Sequence, residues 1–133
     1  MNIELAGERL LLDHRRGLLW PRRSALVIAD THFGKSAVFR REGIPLPEGS
    51  DLEDLALISR LLQEHDAKSL YILGDFVHGR LPTGHRFYRN FNRWRRRHPA
   101  LEIHIVLGNH DRHLDPAQLE DIRRHDRLEL APL

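Results

Sequence analysis

The sequence predicts an α/β fold in which short apolar strands alternate with helices along 133 residues. Three apolar runs indicate buried strands, and two stretches with helical spacing of apolar residues lie between them. The runs are Ala25–Ala29, Ser69–Leu73 and residues 102–107. Because strands that are joined through helices are usually parallel neighbours, we expect a parallel sheet with right-handed crossovers.

Both helices are marked by the spacing of their apolar residues. The first is predicted over residues 51–65, where leucine and isoleucine recur behind a capping box formed by Ser50 and Glu53. The second has an aromatic face and ends before the His-Pro pair at 98–99. Its aromatic residues recur at i, i+4 and i+7: Phe87, Phe91 and Trp94.

Shorter elements are predicted at both flanks of this region. Residues 10–12 and 17–20 are apolar and predict a hairpin or two small strands. Pro116 is placed to begin a short helix that Asp115 caps, and residues 128–130 mark the start of another strand.

The composition excludes several kinds of site and compartment. There is no cysteine, which excludes disulfides, thiolate nucleophiles and cysteine zinc sites, whereas histidine occurs ten times. The formal net charge is +2, which is compatible with a phosphate-bearing partner. No apolar run approaches the roughly 20 residues of a membrane helix, and the N-terminus lacks the layout of a signal peptide. We therefore expect a cytoplasmic protein without a membrane partner.

A polar cluster follows each of the three predicted strands. Because the carboxyl ends of parallel strands meet at one edge of a sheet, these clusters should form a single site. Their carboxylate, imidazole and amide groups suit manganese, iron or zinc. Two ions roughly 3.5–4 Å apart, bridged by one carboxylate, explain the set better than one ion does. The clusters comprise Asp30 and His32, then Asp75 and His78, then Asn109, His110, Asp111 and Arg112.

These clusters read D-x-H, G-D-x-x-H and G-N-H-D, and together they resemble the first three motifs of the calcineurin-like metallophosphoesterases. Residues 18–49 are similar to the ligase-associated DNA-damage-response phosphodiesterase (endonuclease) branch of that superfamily. That branch has a W-P hairpin, A-D-x-H-x-G-K, an F-R pair and G-I-P-x-P-x-G in the same order. The resemblance covers about residues 5–113.

The resemblance implies a fold and a metal centre. The fold is the αββα sandwich of the metallophosphoesterases, of which this chain would hold the N-terminal part. The cofactors are two divalent metal ions, with manganese foremost and iron or zinc as alternatives. Asp30 and His32 would bind the first metal, Asp75 would bridge, and Asn109 would bind the second.

The resemblance also implies roles in catalysis. His110 would contact the substrate phosphate or protonate the leaving oxygen, and Asp111 would orient its ring. The remaining positions would face the substrate or support the metal ligands. They are His78, Arg112, Lys35 and Arg40.

The sequence departs from the family after the third motif. Members carry a lone histidine and a G-H-x-H motif that supply three more imidazoles, and neither follows here. We therefore expect residues 1–133 to be a single but truncated domain, with a second metal site that is weak or empty. One sheet face would stay exposed unless a homodimer or a swapped element covers it. His113, His125 or a second subunit would then have to complete the metal centre.

The sequence leaves three functions open. The first is a metal-dependent phosphodiesterase or endonuclease that acts on DNA through a hydroxide shared by two metals, with DNA-repair partners. The second keeps the metals but hydrolyses a nucleotide or a phosphomonoester. The third is a non-catalytic module that binds nucleic acid or a repair partner through the arginine-rich stretch at 89–98, although the aromatic residues within it also fit an ordinary core helix.

Overall fold

The computed structural model describes residues 1–15, 17–29, 31, 50–74, 76, 85–107 and 116–125. Within these residues the chain forms a seven-stranded sheet and two α-helices. The helices are α1 (Ser50–Glu64) and α2 (Arg86–Arg97). The strands are β1 (Asn2–Leu5), β2 (Glu8–Asp13), β3 (Gly17–Trp20), β4 (Ala25–Ala29), β5 (Ser69–Leu73), β6 (Glu102–Val106) and β7 (Arg123–His125).

The order of strands in the sheet is the order of strands in the sequence. The pairs from β1 to β4 are antiparallel, and the pairs from β4 to β7 are parallel. The predicted α/β class, the three buried strands and the β2–β3 hairpin are therefore confirmed. The third predicted strand ends one residue earlier than predicted, at Val106, and the Leu107 N–H donates to the His125 carbonyl of β7.

Both helices pack on one face of the sheet and create the main core. Leu55, Ile58 and Leu61 of α1 lie against Leu26 and Leu70 of the strands, all buried. The aromatic residues predicted for α2 also face inward. These are Phe87, Phe91 and Trp94, each at most 1% exposed. Burial of these side chains is the main source of stability, at roughly 25 cal/mol per Å² of apolar area.

The opposite face of the sheet is covered differently. Its buried cluster, Leu10, Trp20, Ala25 and Tyr71, consists of strand residues alone. Several large apolar side chains that point to the same side stay open to solvent, namely Ile3, Leu12 and Leu73 at 37–39% exposure. This matches the expectation that one face of the sheet would be exposed.

Other elements differ from the prediction at the flanks. Strands β1 and β7 were not predicted, and the short helix predicted to begin at Pro116 is a three-residue 3-10 helix, Pro116–Gln118. Asp115 and residues 128–130 lie outside the described residues. Neither α1 nor α2 is long and apolar enough to cross a bilayer.

Candidate metal centre

The predicted site lies where β4, β5 and β6 end. In the parallel ladder Ala29 pairs with Leu73, and Leu73 pairs with Val106, so the three strands finish level with one another. In the sequence, Asp30 follows Ala29 directly, Asp75 is the second residue after Leu73, and Asn109 is the third after Val106. Three strands that are far apart along the chain therefore end at one edge of the sheet.

A hydrogen bond joins the segments that leave β4 and β5. The Thr31 hydroxyl donates to the Phe76 carbonyl at 3.0 Å. Thr31 stands between Asp30 and His32 in the sequence, and Phe76 follows Asp75. The bond thus holds together the two chain segments that carry the first predicted ligands.

Gly74 shapes the turn that leads to Asp75. Its φ of +63° lies in the left-handed region, which costs a side-chain-bearing residue about 1 kcal/mol or more. Its N–H donates to the Val106 carbonyl at 2.8 Å, beyond the last β5–β6 pair. The turn after β5 is therefore fixed against the end of β6.

Phe76 anchors the same turn in the core. Its ring is fully buried and packs edge-on against Phe87 and Phe91 of α2, with centroids 5.7 and 5.4 Å away. The sequence interpretation missed both Thr31 and Phe76 as supports of the site. An apolar aromatic residue inside a polar motif was the signal that could have identified Phe76.

The predicted site residues themselves lie outside the described residues. Their roles stay predictions, and the structure describes only the strand ends and the two supports that flank them. As a donor set, two carboxylates, an imidazole and an amide oxygen fit a divalent ion of the manganese type. The residues concerned are Asp30, His32, Lys35, Arg40, Asp75, His78, Asn109, His110, Asp111 and Arg112.

A second group of potential ligands occurs between the β2–β3 turn and the end of α1. Ligand atoms of Asp13, Glu64 and His65 lie within 4.8 Å of one another. Arg15 already occupies the centre of this group: its guanidinium donates to Asp13 Oδ1 and Oδ2, at 2.9 Å each, and to Glu64 Oε1 at 3.1 Å. We interpret the group as an ion-pair clamp, because a metal would have to displace Arg15.

The charges of the clamp reinforce each other. Hydrogen bonds from Arg15 lower the pKa of the Asp13 carboxyl far below its ordinary value and also lower the pKa of Glu64. The same bonds raise the pKa of the Arg15 guanidinium. The clamp thus joins two charged groups 49 positions apart in the sequence.

Replacing Asp13 by asparagine is expected to make the melting temperature depend less on pH below about pH 4. A carboxyl whose pKa is depressed by folding stabilises the fold above its unfolded value of about 4, and this contribution is lost as the pH falls further. Melting temperatures between pH 7 and pH 2.5 measure the effect. Asp66→Asn is the control, because its exposed carboxyl bonds to Lys68, two residues away, and to no other side chain in the described part of the chain. Identical pH profiles for wild type and Asp13→Asn would contradict the clamp.

His104 stacks with other rings on the face of the sheet opposite the two helices. Its ring stacks on Tyr71 at 4.6 Å and on His125 at 5.1 Å. Its nitrogens lie 2.8 Å from Glu102 Oε1 and 2.9 Å from His125 Nε2. The prediction that His104 is a core or edge histidine is confirmed. His125 Nε2 is engaged with His104, and His113 lies outside the described residues, so the proposal that either completes the metal centre stays a prediction.

Comparison with known proteins identifies the class of this fold and site. The sequence profile described as calcineurin-like phosphoesterase matches residues 24–131, which is most of the 133 residues. The chain therefore belongs to the calcineurin-like phosphoesterase family, as the strand-end motifs predicted.

A solved structure is similar over nearly the whole chain. It is the crystal structure of the Pseudomonas putida nuclease MPE, with 36% sequence identity and a TM-score of 0.84. The match covers 99% of this chain and 62% of that chain, so this chain spans less than two thirds of the nuclease's length. The expected fold, part of a metallophosphoesterase domain, is confirmed. Comparison with curated proteins gave no match.

Proposed function

We propose that the chain carries a metal-dependent phosphoesterase centre whose substrate is a phosphodiester, with DNA as the first candidate. The observation that supports this most is the level ending of β4, β5 and β6, with Thr31 bonded to Phe76 between them. Each strand end leads directly into one motif of the family to which the chain belongs.

The ligand roles follow the family motifs residue by residue. Asp30, His32 and Asp75 would hold one ion, and Asp75 and Asn109 would hold the other. When bound, two such ions supply positive charge beside the phosphate and lower the pKa of a bound water. Manganese is the proposed metal, because mixed nitrogen and oxygen donors suit it and cysteine is absent.

The remaining site residues would act on the substrate. In this proposal His110 holds or delivers a proton at the leaving oxygen, and Asp111 accepts a hydrogen bond that fixes the tautomer of that ring. Arg112 presents a planar guanidinium that can donate two bonds to phosphate oxygens. Lys35, Arg40 and His78 complete the substrate side.

DNA is proposed because the structural relative is named a nuclease. The two sequences are 36% identical in a match that covers 99% of this chain. A role in DNA repair is proposed from the resemblance of residues 18–49 to the ligase-associated branch, and the cytoplasmic location stays a prediction. These finer assignments belong to the proposal.

Two substrates with one chromogenic leaving group would test the proposed function. We expect the purified chain to hydrolyse an aryl phosphodiester when manganese is added and to be inactive in chelator. An aryl phosphomonoester is the comparison substrate, since faster cleavage of the monoester would favour the nucleotide or monoester alternative. Nicking of plasmid DNA, followed on a gel under the same two conditions, tests the DNA assignment. Full activity in chelator would refute a metal-dependent centre.

A further inference from the structure

The outer side of α2 is a stripe of arginine. The buried residues of this helix, such as Phe91 and Trp94, point to the sheet, and the exposed positions recur at spacings of three or four residues. At such spacings side chains share one helix face. We call these exposed residues the arginine stripe: Arg86, Arg89, Arg93, Arg96 and Arg97.

The stripe is unfavourable for the helix taken alone. Arg89, Arg93 and Arg97 follow one another at i and i+4, where like charges destabilise a helix by roughly 0.2–0.5 kcal/mol per pair. The helix contains no acidic residue that could offset this repulsion. A run of one charge sign in a helix that holds no acidic residue breaks a local stability rule, and such departures concentrate at functional surfaces.

Contacts on the flank of α2 hold the stripe in place. Arg95, which is buried, donates to the Asp121 carboxylate at 2.9 Å, and the Asn92 amide donates to the Gln118 carbonyl at 2.7 Å. Arg96 pairs with Glu120. Arg93 and Arg97 make no ion pair with any residue in the described part of the chain. Both therefore present an uncompensated positive charge to solvent.

The effect of this charge is visible at the end of the helix. Burial is the main cause that lowers the pKa of His98, and the charges of Arg97 and Arg95 lower it further. Of the arginine stripe, Arg97 thus contributes to the lowered pKa of the residue that caps α2.

The stripe starts near the carboxyl edge of the sheet, where β5 ends. Phe87, in the first turn of α2, contacts Phe76 at the carboxyl edge of the sheet, and α2 ends shortly before β6 begins at the opposite edge. From Arg86 to Arg97 the helix rises about 16 Å. This length matches about five base pairs of a duplex, which carries one phosphate per roughly 3.4 Å on each strand.

We propose that the arginine stripe binds the phosphate backbone of duplex DNA and leads it towards the carboxyl edge of the sheet. The choice of DNA as partner rests on the proposed function. The binding itself depends on charge complementarity and requires no metal. Guanidinium groups pair well with phosphate oxygens through parallel hydrogen bonds.

Salt-dependent binding in chelator tests the proposal. The probe is a fluorescent 20-base-pair duplex, and the variant is Arg93→Gln/Arg97→Gln in the full chain. Each lost phosphate contact reduces the slope of log K against log salt by about 0.9, so we expect a reduction of about two. The loss of affinity in the variant, relative to wild type, should therefore be about tenfold larger at 50 mM salt than at 200 mM salt.

The control removes the same charge elsewhere. Arg9→Gln/Arg60→Gln changes two exposed arginines on β2 and α1, and it should keep the wild-type slope. Equal losses in both double variants, or a wild-type slope in the α2 variant, would overturn the proposal. Far-ultraviolet circular dichroism and melting curves check that each variant is folded.

Failure of this inference can be told apart from failure of the proposed function. If wild type hydrolyses the aryl diester with manganese but the α2 variant binds DNA like wild type, only the arginine stripe is refuted. If wild type shows no metal-dependent hydrolysis but binds DNA through Arg93 and Arg97, only the catalytic assignment is refuted.

Discussion

Replacing Asp75 by asparagine is expected to abolish manganese-dependent phosphodiester hydrolysis. Asparagine keeps the size of the side chain and removes its charge. In the proposed centre the carboxylate would bind both divalent ions, and its negative charge would offset their mutual repulsion. Mutation of a residue that only hydrogen-bonds to a metal ligand already lowers metal affinity or activity about 10–100-fold. For the ligand itself we expect a loss of activity of at least about 100-fold.

Two measurements separate this result from misfolding. Bound manganese, measured by elemental analysis after dialysis, should fall together with turnover of the aryl diester. The melting temperature without metal should stay near that of wild type, because Asp75 follows the end of β5 and the turn is held by Gly74 and Phe76. Asp66→Asn serves as the matched carboxyl-to-amide control. Wild-type turnover and metal content in Asp75→Asn would refute the bridging role.

Replacing Phe91 by alanine is expected to cause the largest loss of stability. The ring is fully buried and has three aromatic neighbours, Phe76, Phe87 and Trp94, at centroid distances of 5.4–5.8 Å. Truncation of a buried phenylalanine removes its transfer energy and leaves a cavity, which together cost about 3–5 kcal/mol. Urea unfolding followed by circular dichroism measures this cost.

A graded series guards against a variant that does not fold. Phe91→Leu keeps part of the volume and should lose less, about 1–3 kcal/mol. Leu52→Ala, on the exposed side of α1 with 49% exposure, is the control and should change stability by about 0.5 kcal/mol or less. Equal losses for Phe91→Leu and Leu52→Ala would mean that the aromatic cluster is not a core element.

The buried part of the fold could be predicted from the sequence. β4 and β5 are apolar runs, β6 carries apolar residues at 103, 105 and 106, and the spacing of Phe87 and Trp94 predicts the buried face of α2. Such apolar patterns can be read within a single segment. This is why their bounds agree with the structure to within one residue.

The edges of the sheet could not be predicted in this way. β1 is a four-residue segment, Asn-Ile-Glu-Leu, whose residues are all exposed, and β7 reads Arg-Arg-His with no apolar residue. Each becomes a strand because its neighbour offers unpaired backbone groups. Pairing of that kind is a tertiary property, and no local pattern carries it.

The residue types of the site could be predicted from the sequence, but the contacts that hold its surroundings together could not. Residue types and strand ends pointed to Asp30, Asp75 and Asn109. The bond between Thr31 and Phe76 crosses 45 positions, and the Arg15 clamp to Glu64 crosses 49. Contacts between such distant residues depend on the assembled fold.

The strand order has a consequence for how the protein is made. Every strand pairs with the one that precedes it in the sequence, from β1 through β7. During synthesis each strand that leaves the ribosome can therefore pair with a strand that was made before it. Pairing does not depend on a segment that is translated later. Since chains are made at roughly 5–20 residues per second, we expect the sheet to grow stepwise from the N-terminus, with one newly formed edge open at a time.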